Sequence, residues 1–302
     1  MNIIEKVIEV ESVADTFEIY PIGDVHIGAY NCAEKHFKAF VAYIKDRPNA
    51  YWVGGGDYCN LITPSDVCRY DVRAMANCIF TGSAMNIKEA LMDISKQERE
   101  RFVEMVEPIK DKCIGLIEGN HEYSIMKHAN NGHHWVMCDE LGVPSLTDCA
   151  FIRFRTKQII TNAGSSVTMF ILHGMGGGRT PGAEPNHLAR LAGWNDSDII
   201  LRGHSHTFRI EPSEPRLYIP HKGALPDECM QREVFKGNWG CWLKSYAVGP
   251  STYDSRANYP PRPLRAMVIK VKPLHKRWVK VAGRRTKRQM PLITMSECYY
   301  KE

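Results

Sequence analysis

The sequence predicts an α/β fold in which one sheet packs on another and helices cover the outside. Three observations carry this. A strand–helix–strand rhythm fills the stretch up to Asp57, amphipathic helices follow it, and the chain turns strand-rich after Ala150.

Thr16 to Ile22 alternates as a strand does and stops at Gly23-Asp24. Ala33 to Asp46 places Phe37, Phe40, Val41 and Ile44 on one helical face and ends before Pro48. Ala50 to Val53 is a short apolar strand running into Gly54-Gly55-Gly56-Asp57. A strand, a helix and a second strand in that order imply parallel pairing. Ser65 to Asp93 reads as an inserted helical cap. Ser95-Lys96-Gln97-Glu98 has the spacing of a capping box, with Ser95 capping and Glu98 reaching back. The helix it opens turns Phe102, Met105, Val106 and Ile109 inward. Lys112 to Ile117 is the next strand and ends in Glu118-Gly119-Asn120-His121. A short helix is expected at His133 to Leu141. Strands follow at Ala150–Arg155, Ser166–Leu172, Asp198–Leu201, Leu217–Ile219, Cys241–Val248 and Leu264–Val271.

Composition narrows the class. The 302 residues are 44% apolar and 24% charged, as in ordinary globular chains. Ten cysteines are scattered without a C-x-x-C pair, so neither a zinc finger nor a disulfide framework is expected. Reduced thiols and a start that lacks a basic-then-apolar leader place the protein in the cytoplasm. No apolar run approaches a membrane span. Eight Lys/Arg and no acid lie between Lys272 and Arg288; removing those eight charges takes the formal net charge from +5 to −3. Residues 1–272 are therefore read as one domain carrying the 65–93 insertion, and 273–302 as a basic C-terminal tail. Such a tail either neutralises nucleic-acid phosphates or ends the chain as a solvated, partly disordered segment.

Metal-binding residue types fall just past the carboxyl ends of five strands, where open α/β sheets place their sites. They are Asp24 and His26, then Asp57, then Asn120 and His121, then His173, then His204 and His206. Asp24/His26 and His204/His206 are spaced i, i+2, so each pair would leave an extended segment on one side. A carboxylate such as Asp57 has enough lone pairs to bridge two cations. A mixed oxygen and nitrogen set without thiolate suits Mn²⁺, Fe, Zn²⁺ or Mg²⁺. Four of the five ends carry a glycine directly before the first such residue. The run from Gly174 to Gly178 could offer N–H groups to an anion or simply be a loop. His36, His128, His133, His134, His187, His221 and His275 lack this setting and are read as surface or packing residues. Trp239, Trp242 and Tyr246 are read as core or cleft aromatics.

Gly-Asp-Val-His (23–26), Gly-Gly-Asp (55–57), Gly-Asn-His-Glu (119–122), His-Gly (173–174) and Gly-His-Ser-His (203–206) together resemble the calcineurin-like metallophosphoesterases. The resemblance covers the chain from about Phe17 to Val271. It implies a four-layer α/β/β/α sandwich with a dinuclear centre. The first metal ion would take Asp24, His26, Asp57 and His206, and the second Asp57, Asn120, His173 and His204. Manganese is the expected metal, with iron, zinc, magnesium or nickel as alternatives. A metal-bridging hydroxide would attack phosphorus, and His121, not a ligand, would act as general acid. Leu61 stands where the family's protein phosphatases have a phosphate-binding Arg, which argues against a phosphoprotein substrate. Asn60 stands where other branches place an Asp or His beside the catalytic His, so Asn60 and Glu122 are the candidate supports of His121. These departures resemble the phosphodiesterase and nuclease branches, in their bacterial or phage forms.

Three functions follow as expectations. A phosphodiesterase acting on nucleic acid or a nucleotide is motivated by the metal residues and the basic tail. A small-metabolite phosphomonoesterase is motivated by the cap. A non-catalytic, metal-stabilised interaction module is the third. The oligomeric state is left open by the sequence.

Overall fold

The alternating apolar residues of Phe17–Ile22 (β2) and the apolar run of Ala50–Gly54 (β3) become neighbouring parallel strands, followed by Cys113–Leu116 (β4). The computed structural model describes residues 1–64, 66, 69–76, 93–129, 132–159, 164–176, 180–220 and 224–301. Ala266–Lys272 (β11) and Leu292–Cys298 (β14) complete this five-stranded sheet in the order β14-β11-β2-β3-β4. The second sheet has seven strands. Asn2–Val10 (β1), Cys149–Gln158 (β5), Gly164–Leu172 (β6), Ile199–Arg202 (β7), Met230–Trp239 (β10) and Phe208–Ile210 (β8) lie in that order, and Glu214–Tyr218 (β9) pairs with β10.

The sheets pack face to face through Phe17, Ile19 and Ile269 of the first and Ile152, Phe154, Met169 and Ile171 of the second, all essentially buried. Helices Glu34–Lys45 (α1), Ile94–Val106 (α2) and His133–Leu141 (α4) cover the outer face of the first sheet. Phe37, Phe40, Val41 and Ile44 of α1 are the buried stripe that the sequence spacing dictates. Ala183–Trp194 (α5) covers the second sheet through Ala192 and Leu191 against Phe170 and Ile200. The architecture is the expected α/β/β/α sandwich.

Several elements differ from expectation. β1 and α5 were not anticipated, and the strand placed at Cys241–Val248 is instead Met230–Trp239. Ser95 does not cap α2: that helix starts at Ile94, its cap residue Asp93 makes no side-chain cap bond, and Glu98 is buried. The side chain of Glu98 turns inward to accept the Leu61 N–H at 2.6 Å. Within the expected cap, the described residues hold one 3₁₀ turn, Val72–Ala74. Residues 65, 67, 68 and 77–92 of it lie outside the described residues.

The basic segment is not a loose end. Lys276–Val281 (β12) and Arg284–Gln289 (β13) pair as an antiparallel ribbon, and β14 returns to the first sheet along the whole of β11.

Candidate metal centre

Both sheets direct strand ends to one edge of the sandwich. Asp24 and His26 follow β2, Asp57 follows β3, and Asn120 and His121 follow β4 at the start of helix Asn120–Ala129 (α3). His173 follows β6, and His204 and His206 follow β7. The second sheet thus supplies imidazoles to a site whose carboxylates come from the first.

The backbone at these positions is not extended. Asp24, His26, Asp57, His204 and His206 all have left-handed φ, between 49° and 65°. Such backbone costs a non-glycine residue about 1–3 kcal/mol and persists where surrounding bonds fix it. Here Asp24 N–H donates to the Gly56 carbonyl at 2.9 Å, and Val25 and His26 N–H donate to the Asp57 carbonyl at 2.9 and 3.1 Å. Asp24 and His26 still converge on one donor set, but the i, i+2 pair His204/His206 does not share a side as it would on a strand.

Instead His206 and His204 split between two donor sets. His26 Nε2 lies 3.0 Å from His206 Nε2, and His206 Nε2 lies 3.4 Å from Asp24 Oδ1. On the other side, Asn120 Oδ1 is 3.0 Å from His173 Nε2 and 2.6 Å from His204 Nδ1. Asp57 Oδ2 stands between the sets, 3.1 Å from His173 Nε2 and 3.9 Å from His26 Nε2. Asp24, His26, Asp57, His173 and His206 are buried.

This donor set fits divalent cations. Asp24 Oδ1 is buried and accepts no hydrogen bond among the described residues. His173 Nδ1–H donates to the Gly55 carbonyl at 2.8 Å, which turns its Nε2 toward two oxygen atoms. Two imidazole nitrogens at 3.0 Å and converging carboxylate and amide oxygens leave electron pairs facing one another, an arrangement a cation satisfies. The titration behaviour agrees. Burial holds His26 down to about 3 and His204 to about 4, and raises Asp24 to about 7. Burial also opposes charge on His173, yet the Asp57 carboxylate outweighs it and raises His173 to about 10.

His121 stands beside the donors, its ring edge-on to His26 with centroids 4.7 Å apart. Its Nδ1 meets the main-chain carbonyl of Asn60 at 2.5 Å. Asn60 thus orients His121 with its backbone and not with the amide side chain that the sequence suggested. Glu122 does not pair with His121 either. Its buried carboxylate accepts N–H groups from Asp57 (2.9 Å), Tyr58 (2.8 Å), Cys59 (3.4 Å) and Gly119 (3.0 Å), and so clamps the Asp57 loop onto the start of α3.

Trp239 is a site residue that the sequence did not disclose. Its indole N–H donates to Asp24 Oδ2 at 2.7 Å. A Cβ on Gly23, Gly55 or Gly203 would fall 2.0–2.7 Å from this indole. Three of the glycines at the strand ends are therefore there to admit a tryptophan, not to reach an ion. Gly174 does take positive φ, at 90°, against Arg202. The buried Arg202 pairs with Glu184 at 2.5 Å and donates to the carbonyls of Met175 and Gly176, pinning the start of the glycine run. Gly177 and Gly178 lie outside the described residues. The sequence signal for Arg202 was a lone charge ending an apolar strand.

The centre floors a cavity of about 330 Å³ whose other walls include Ile62, Arg69, Leu243, Tyr259 and Arg262. Arg69 pairs with Asp66 at 2.6 Å and Arg262 with Asp254 at 2.8 Å. His133 and His134 are buried packing residues in α4, and His187 is half-buried beside Glu184. The side chain of His128, and His221, lie outside the described residues. Trp242 packs with Phe37 and Phe40 in the outer core. Among the described residues, no helix is long and apolar enough to cross a membrane.

No protein-family model and no curated protein matches the sequence. Solved structures do. The chain is similar to a calcineurin-like phosphoesterase, YfkN from Bacillus subtilis, at 11% identity and TM-score 0.42, covering 93% of this chain and 90% of that one. It is similar to the zinc-complexed Vps29 of Entamoeba histolytica at 11% identity and TM-score 0.36, covering 91% and 99%. A metallophosphoesterase from Sphaerobacter thermophilus is similar at 14% identity and TM-score 0.35, covering 95% and 90%.

Proposed function

We propose that this protein is a dinuclear-metal-dependent phosphoesterase of the calcineurin-like kind, and that its substrates are phosphodiesters of nucleic acid or nucleotides. The observation that carries the reading is the position of Asp57. One carboxylate serves two donor sets, Asp24/His26/His206 and Asn120/His173/His204, with His121 alongside on the floor of an open cavity. Manganese is the cation taken for this reading; a thiolate-free set of oxygen and imidazole donors suits it along with iron, zinc and magnesium.

When bound, a pair of divalent cations supplies Lewis acidity toward phosphoryl oxygens and lowers the pKa of water. The chain's own part is positional. Asp57, fixed by the Glu122 clamp, sets the spacing of the two donor sets. His121 keeps Nδ1 against the Asn60 carbonyl, so a proton passed to a leaving oxygen would go through Nε2.

The preference for a diester has its own support. Both arginines on the cavity wall are already paired with carboxylates, and Leu61 is buried. Beyond the cations themselves, the cavity wall thus adds little uncompensated charge for a monoester dianion, which favours the single charge of a diester. The test is turnover of bis-p-nitrophenyl phosphate and p-nitrophenyl phosphate with Mn²⁺, beside Asp57→Asn and His121→Ala. Diester turnover lost in both variants supports the reading. Monoester turnover alone would replace the substrate class, and two bound metals without turnover would leave a metal-stabilised interaction module.

A further inference from the structure

The β12–β13 ribbon carries features that the metal centre does not use. Its cross-strand register pairs Trp278 with Lys287, Lys280 with Arg285 and Lys276 with Gln289. Side chains alternate across a ribbon, so Lys276, Trp278, Lys280, Arg285 and Lys287 share one face. All five are exposed, Trp278 by 58%. Lys287 Nζ lies 4.8 Å and Arg285 Cζ 5.8 Å from the Trp278 ring centroid. Among the described residues, none of the four cations on this face forms an ion pair.

The ribbon is held in place. Asp227 accepts the N–H groups of Ala282 and Gly283 at its turn, and Gln289 donates to the Gly164 carbonyl at 2.8 Å at its base. A cavity of about 240 Å³ opens beside Trp278, lined also by Pro226, Glu228, Cys229, Met230 and Lys280.

We propose that this face is a docking platform for single-stranded nucleic acid, with phosphates on the four cations and a base stacked at Trp278. An aromatic set among cations on a fixed ribbon is the combination that binds unpaired strands, whose bases are free to stack. A lipid surface fits less well, because Trp278 is the one apolar side chain on the face; Val279 and Val281 point the other way. The proposal deepens the diesterase reading by naming a polymer as partner, although the binding step itself needs no chemistry.

Its place in the fold gives it a separate role. Gly164, which Gln289 contacts, starts β6, and His173 follows the other end of that nine-residue strand. At about 3.3 Å per residue, the base of the ribbon and the metal centre are roughly 30 Å apart. A strand held at both must be long, and a short one engages either alone.

The test is fluorescence anisotropy of a labelled oligothymidylate of roughly 20 nucleotides, longer than typical single-fold sites. The full chain is used with Mn²⁺ in a His121→Ala background, so that the strand is not cut. Trp278→Ala is expected to weaken binding roughly 5- to 100-fold, and Trp278→Phe to keep most of it. Lys280→Ala with Arg285→Ala is expected to lower the log–log salt slope by about 1.4. Turnover of bis-p-nitrophenyl phosphate by Trp278→Ala, with His121 present, should match the parent and show that the fold is intact. Absent binding, unchanged affinity in Trp278→Ala, tighter binding of duplex, or preference for anionic phosphatidylserine vesicles would each overturn the platform. No binding by the otherwise unaltered His121→Ala chain, with diester turnover by the parent intact, removes the platform alone. Binding by the His121→Ala chain, with no diester turnover by the parent, removes the diesterase reading alone.

Discussion

The indole N–H of Trp239 donates to the carboxylate of Asp24 at 2.7 Å across the join between the two sheets, with both side chains buried. Trp239→Phe keeps most of the volume and removes the donor. A buried carboxylate one hydrogen bond short costs about 1.5–3 kcal/mol. Loss of such an orienting partner typically weakens metal binding about 10- to 100-fold. Metal titration of the folded variant should show that loss in the Asp24/His26/His206 set.

Asp57 is shared and His26 is not. His26→Ala should retain one ion per chain and Asp57→Ala neither, as read by elemental analysis after desalting. Equal retention by the two variants would show that the donor sets are not joined through Asp57.

Glu122 accepts four main-chain N–H groups, which an amide with one oxygen cannot match. Glu122→Gln is expected to lose roughly 2–4 kcal/mol in urea unfolding, since buried donors are left unpaired. Activity should fall with it, because the clamp fixes the loop that carries Asp57.

Asn60 acts on His121 through its main chain. Asn60→Ala should therefore leave the pH–rate profile unchanged, whereas His121→Ala should reduce turnover roughly 10²- to 10⁴-fold. A shifted profile in Asn60→Ala would reinstate the side chain.

Glu98 is fully buried beneath the Asn60–Leu61 loop, and burial raises its carboxyl from 4.5 to about 8. A raised folded-state pKa means that its stabilising effect is complete below about pH 4.5 and is lost as pH rises through about 8. Glu98→Gln keeps the acceptor for Leu61 and does not titrate. The parent should lose stability relative to this variant between those pH values, by an amount on the order of a few kcal/mol. Denaturation midpoints across that range check it, and parallel curves would contradict it.

Much of the site was legible because its residues are chemically unusual where they stand. An Asp, an Asn or a His directly after an apolar run and a glycine has few local reasons to be there. The supporting residues gave no such signal. Trp239 and Glu98 look like an ordinary core aromatic and a helix-start acid until the fold brings them beside Asp24 and Leu61, far away in sequence. β1 was missed because its exposed face mixes Ile3 and Val7 with Glu5 and Glu9, which blurs the apolar alternation, and β10 because polar residues such as Gln231, Arg232 and Lys236 interrupt its apolar pattern. The roles of Asn60 and Glu122 were misjudged for a related reason: both act through or upon main-chain groups, which residue identity does not specify.

The termini of the described chain are crossed over like a clasp. β1 edges the sheet built from the later half, while β11 and β14 edge the sheet built from the earlier half. A ribosome releasing this chain therefore cannot complete the first sheet until β14 has emerged, although β2, β3 and β4 come early. A cut near Gly142 should likewise yield two pieces that each withhold an edge from the other, and only together restore the place where His206 meets Asp24. Metal capture would then report that the two sheets have met.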